Sequence, residues 1–168
     1  MFLNDYLMRI ILQFVAALQQ ALREQNRTPE EKAGSLEQAV GDAVNIDPRL
    51  LFSMDPESVV SMLQLGDFDE ELGGYVLRSI YLEADILEEA GQTQRAALRR
   101  SQADAIARAY GFAVTAQDAT PEALEEFLAQ QEATGEATEQ VAEQATEAAA
   151  GQATEEAAGQ DQPRGSSI

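Results

Sequence analysis

The chain has 168 residues, 30 of them acidic against 11 basic, a formal net charge of −19, and neither cysteine nor histidine. Those absences exclude disulfides, Cys/His zinc sites and Ser-His or Cys-His nucleophile pairs. A surface of this sign repels phosphate backbones and anionic lipid, and Lys32 is the sole lysine, so neither nucleic acid nor membrane is an expected partner.

The first element is an apolar helix over 3–25. Leu3, Leu7, Ile10, Phe14, Leu18 and Ala21 recur at helical spacing, and Met8, Ile11, Leu12 and Val15 widen the stripe. The pattern describes a core helix buried on more than one side, and the same helix is a candidate surface for homodimerisation. Its apolar run, Ile10–Leu18, is interrupted by Gln13, lies beyond Asp5 and precedes no A-x-A-like site, which separates it from a signal peptide. It is also shorter than the roughly 20 residues that span a bilayer. The expected location is cytoplasmic.

Four helix starts follow from capping chemistry. Thr28-Pro29, Asp47-Pro48, Asp55-Pro56 and Thr120-Pro121 each place a side-chain oxygen at the N-cap and a proline where the missing N–H costs nothing. Glu31 completes a capping box with Thr28. The predicted helices run over 29–45, 56–65, 69–90, 93–110 and 121–131, with one helical turn at 48–53. Between Leu51 and Gly66 the chain is apolar enough to plug the core between the longer helical pairs. Gly73-Gly74 interrupts the start of the 69–90 helix at a cost of about 1 kcal/mol per glycine, which points to close packing there.

Composition changes near Gln130. Residues 131–168 hold 8 acidic residues and 1 basic one, recurring Ala-Thr dipeptides, and little beyond Val141 and Ile168 that is apolar and larger than alanine. Such a segment buries too little surface to offset its ordering entropy. The expected organisation is therefore a helical domain over 1–130 and a disordered, acidic, low-complexity tail over 131–168.

In Tyr81–Ala105, Ala84, Leu87, Gly91, Ala96 and Ala103 fall at the offsets of a tetratricopeptide repeat: a small residue, a bulky one, a turn glycine and two packing alanines. Arg100 stands where that repeat has an aromatic, and its terminal proline is missing. With this pair, DYLMRIILQF (Asp5–Phe14) and LLFSMDPESVVSMLQLGDFD (Leu50–Asp69), the chain resembles a bacterial family of short helical proteins, a domain of unknown function. The resemblance implies a small tetratricopeptide-like helical array and no assigned activity. The fold class expected is all-α, an array of antiparallel helical hairpins.

Two constellations carry charge. Arg95, Arg99, Arg100 and Arg108 form the one local basic cluster: they either clamp a partner's carboxylates or pair with Glu83, Glu88 and Glu89 across the hairpin. Asp67, Asp69, Glu70 and Glu71, with Glu83, Asp85, Glu88 and Glu89 beyond them, are carboxylates suited to acid–base work or hard cations. They lack calcium-hand spacing, and their plainer reading is helix capping and a solvated face. No phosphate-binding or nucleophile-elbow motif is present, and no cofactor is expected. The leading expectation is a non-catalytic module holding a protein or peptide in a groove between helices; a carboxylate-dependent hydrolase or divalent-metal protein is the alternative.

Overall fold

The computed structural model describes residues 2–134, with side chains from Asp5 onward. Every regular element among them is helical: α1 (Phe2–Arg23), α2 (Pro29–Val44), α3 (Pro48–Ser53), α4 (Pro56–Leu65), α5 (Gly73–Glu89) and α6 (Thr93–Tyr110), with 3-10 turns at Glu70–Leu72 and Ala116–Ala119. A seventh helix, α7, runs from 121 to 134. The chain divides into two units after Glu126. The expected tail over 131–168 lies outside the described residues from 135 onward.

The proline-marked starts behave as their chemistry requires. Thr28 Oγ1 accepts from Glu31 N at 3.2 Å while Glu31 accepts from Thr28 N at 3.1 Å, the reciprocal capping box. Asp47 accepts from Arg49 N, Asp55 from Ser58 N and Thr120 from Ala123 N. At the other ends, Asn45 closes α2 in the left-handed conformation (φ 56°) and Gly111 closes α6 (φ 73°).

The first unit is built around α5, which packs on α6 and α2, while α1 lies against α2 and touches α5, and α4 packs on α6. Phe14 of α1 stacks on Tyr75 of α5 with ring centroids 5.8 Å apart. Phe14, Leu18, Leu36, Leu77, Ile80, Leu87 and Ile106 are fully enclosed. At roughly 1.5–3 kcal/mol per large side chain removed from water, such residues supply most of the drive to fold. Ala84, Ala96 and Ala103 are also fully buried, so α5 and α6 approach closely, and Gly91 turns the chain between them at φ 81°. Leu51, Phe52, Val59 and Leu63 enter the core from α3 and α4, whereas Leu50 and Leu65 face solvent, so this segment plugs the core with one side only.

Two expectations are corrected, and one element is additional. The helix predicted over 69–90 is broken: Asp69 caps a 3-10 turn by accepting from Glu71 N, and α5 begins at Gly73. The glycine at that start is needed for packing. A Cβ on Gly73 would lie 2.2 Å from Phe112 Cζ, so that ring reaches the backbone of α5 because no side chain stands there. Phe112 stacks on Tyr110, which meets Phe68 edge-on at 5.2 Å. The turn Ala116–Ala119, closed by a capping box between Thr115 and Asp118, was not anticipated. Finally, α1, expected to be buried on more than one side, is fully buried on one: Ile10, Phe14, Ala17, Leu18 and Ala21 face the core, Ile11 and Val15 are half-buried, and Met8 and Leu12 are exposed.

Candidate functional site

The arginines singled out in the sequence do not project from α6 as a group. Arg99 is only 4% exposed and reaches into the junction of α2, α3, α5 and α6. Its Nε donates to Glu83 Oε1 at 2.9 Å, Nη2 to Glu37 Oε1 at 2.9 Å and Nη1 to the Phe52 carbonyl at 3.0 Å. The guanidinium also lies 4.5 Å over the Phe52 ring, so its planar fork and its face are both engaged. Gln102, fully buried one turn on, donates to the Met54 carbonyl at 2.7 Å and to that of Phe52 at 3.3 Å. Together they satisfy carbonyls left open where α3 ends.

Arg95 continues the network outward to Glu37 and Glu30 on α2, and Gln92 donates to Glu30 as well. Arg100 pairs with Asp85 at 2.9 Å and with Glu88. Arg108 lies apart on the exposed side of α6, its Nε near the Asp104 carbonyl. The expected pairs to Glu83 and Glu88 are thus present, but the network also depends on Glu37, Glu30 and Asp85. Glu37 and Glu30 lie on a helix distant in sequence, and only tertiary packing brings them to the arginines.

Glu83 is 1% exposed and faces a second carboxyl, Glu37, across one arginine. Burial, then the hydrogen bond and charge of Glu37, push the Glu83 carboxyl well above the ordinary carboxylate range against the pull of Arg99. Burial raises Glu37 too, but its hydrogen bonds with Glu83 and Arg99 outweigh that and hold it below the usual value. One proton shared by the pair explains both directions. Glu83 Oε2 is buried with no hydrogen-bond donor beside it, which disfavours the charged form in the same direction. The arrangement of two carboxyl groups and one guanidinium pins α2 to α5 and α6. Glu83 is too enclosed to meet a substrate.

The acidic turn is capped by Asp69. Asp69 is occupied by Glu71 N, and among the described residues no three acidic side chains are grouped to hold a metal ion. No helix of the described residues is long and apolar enough to cross a membrane.

Open space lies elsewhere. A cleft of about 1090 Å³ is formed by the start of α1, the end of α2, the end of α4 and the turn that follows. Leu7, Val44, Ile46, Met62 and Phe68 are among its walls, Leu65 stands at it 85% exposed, and Asp67 and Asp69 carry charge beside it. Nothing in the sequence pattern located it, because its walls come from four segments whose apolar residues each read as core. A second cleft, of about 680 Å³ between α1 and α2, is lined by the polar side chains of Gln13, Gln20, Ser35 and Gln38 along with alanines. Compared with protein-family models, curated proteins and solved structures, the chain matches none.

Proposed function

We propose that this chain is a non-catalytic protein-interaction module, built on a tetratricopeptide-like hairpin, which holds an apolar, Lys- or Arg-bearing segment of another protein. The hairpin reading is supported by Ala84, Leu87, Ala96 and Ala103, all without exposed surface, and by the left-handed Gly91 at its turn. The inner face of that hairpin is not the binding surface, because α2 already covers α5. The observation that carries the proposal is the cleft of about 1090 Å³ with Leu65 uncovered and Asp67 and Asp69 beside it. Apolar walls supply affinity through area removed from water, and acidic groups at the edge select basic flanks and speed encounter.

The test is a displayed peptide library panned on the full chain, followed by titration of synthetic versions of the enriched peptides. Enriched sequences are expected to combine apolar residues with Lys or Arg, to bind more weakly as salt rises, and to lose at least ten-fold in affinity on Leu65→Glu with Asp67→Lys. Failure to enrich, or peptides that bind the double variant as tightly as the native chain, overturns the proposal.

A further inference from the structure

We infer that the outward face of α1, carrying Met8, Ile11, Leu12 and Val15, is the surface on which a second copy of this chain docks. Residues 8, 12, 15, 19 and 22 alternate spacings of four and three, the a/d seam of a helix pair, and Ile11 lies beside it. The seam is opposite the side that Ile10, Phe14 and Leu18 bury. Leu12 is 60% exposed and Met8 47%, with Ile11, Val15 and Leu22 half-buried. Among the described residues, one side of this apolar helix is enclosed, while the other leaves Met8 and Leu12 open and Ile11, Val15 and Leu22 part-covered.

Charge selects the occupant. Two molecules of net charge −19 repel wherever carboxylates meet, so an acidic chain approaches its own copy only through a surface that lacks them. Tyr6–Leu22 is such a surface: its single charged residue is Arg9, which lies over the Tyr6 ring. A basic partner is drawn instead to the carboxylates elsewhere, and a bilayer helix needs a cationic polar face that α1 does not have. A two-fold pairing places the same seam on both sides, so a face whose residues are apolar except Gln19 meets its own copy. From Met8 to Leu22 the seam is about 22 Å long, at 1.5 Å per residue. A single helical face of that length belongs with weak, reversible interfaces rather than obligate ones.

Sedimentation velocity of the full chain, from micromolar to near-millimolar concentration and at low and high salt, tests this. The expected result is a monomer–dimer equilibrium whose dimer fraction rises with concentration and with salt, since salt screens the repulsion between copies. Leu12→Glu and the charge-neutral pair Met8→Gln with Leu12→Gln are each expected to weaken association at least ten-fold. Circular dichroism checks that both remain folded, which the exposure of these positions favours. Leu65→Glu, at the cleft, is expected to leave the dimer intact. A monomer at every concentration and salt, or a dimer indifferent to both seam variants, overturns the inference. The salt dependence runs opposite to that expected of peptide binding at the cleft, so either proposal can fail without the other.

Discussion

Replacing Glu83 by glutamine separates two physical pictures of the buried network. If Glu83 is the neutral acid of the pair, glutamine reproduces it: the amide Oε1 accepts from Arg99 Nε and the amide N–H donates to Glu37 in place of the acid O–H. The substitution then costs less than about 1 kcal/mol near pH 5. The pH dependence carries the sign. The folded chain keeps a proton on Glu83 that the unfolded chain releases above about pH 4.5, so the unfolded state binds fewer protons and stability falls as pH rises. Between the unfolded value and the raised folded one, each pH unit removes about 1.4 kcal/mol from the native chain and nothing from the variant. Glu83→Gln is therefore expected to gain on the native chain as pH rises above 5, until the raised folded value is passed. Other carboxylates contribute equally to both proteins, so the difference isolates this pair. Urea unfolding followed by far-ultraviolet circular dichroism, suited to a helical chain without tryptophan, supplies the curves. If instead Glu83 is an ionised partner of Arg99, the variant is destabilised by about 3–5 kcal/mol and its curve runs parallel to the native one. That result refutes the shared-proton account.

Gly73→Ala places a Cβ 2.2 Å from Phe112 Cζ and forces the ring away from its stack on Tyr110; the expected loss is about 1–3 kcal/mol, despite alanine's better helix propensity. An unchanged or raised unfolding midpoint would show that Phe112 moves at no cost. Tyr81→Phe removes a 2.6 Å bond in which the phenol donates to Asp104 Oδ1, and a loss of about 1.5–3 kcal/mol is expected by the same urea assay. A near-neutral result would mean that the bond is compensated by water at Asp104.

Helix positions were legible because their signals are local. Thr28, Asp47, Asp55 and Thr120 cap through atoms two or three residues away, so the sequence neighbour is also the spatial neighbour. The α5–α6 hairpin was legible for a similar reason, since Ala84, Gly91, Ala96 and Ala103 report on two helices joined by a tight turn. Three things were not legible, and each depends on a distant segment. Phe112, whose ring lies against the Gly73 backbone at the start of α5, is some forty residues on. The exposure of Met8 and Leu12 depends on how many helices surround α1, which periodicity does not count. The junction that takes Arg99 inward is completed by Glu37 and the Phe52 carbonyl, which no spacing on α6 announces.

The inward turn of these arginines also bears on where a partner acts. A chain with 11 cations among 30 carboxylates has little basic charge to present, and Arg95, Arg99 and Arg100 are each engaged with the chain's own carboxylates. Exposing Arg99 to bind a partner's carboxylate would leave the buried Glu83 without its counter-ion and Glu37 with Arg95 alone, a cost of several kcal/mol before any contact is made. Recognition through that cluster is thus opposed by the fold itself. The same arithmetic favours surfaces that ask nothing of the network: a cleft whose apolar walls and acidic edge are already open, and a face of α1 on which Met8 and Leu12 stand exposed.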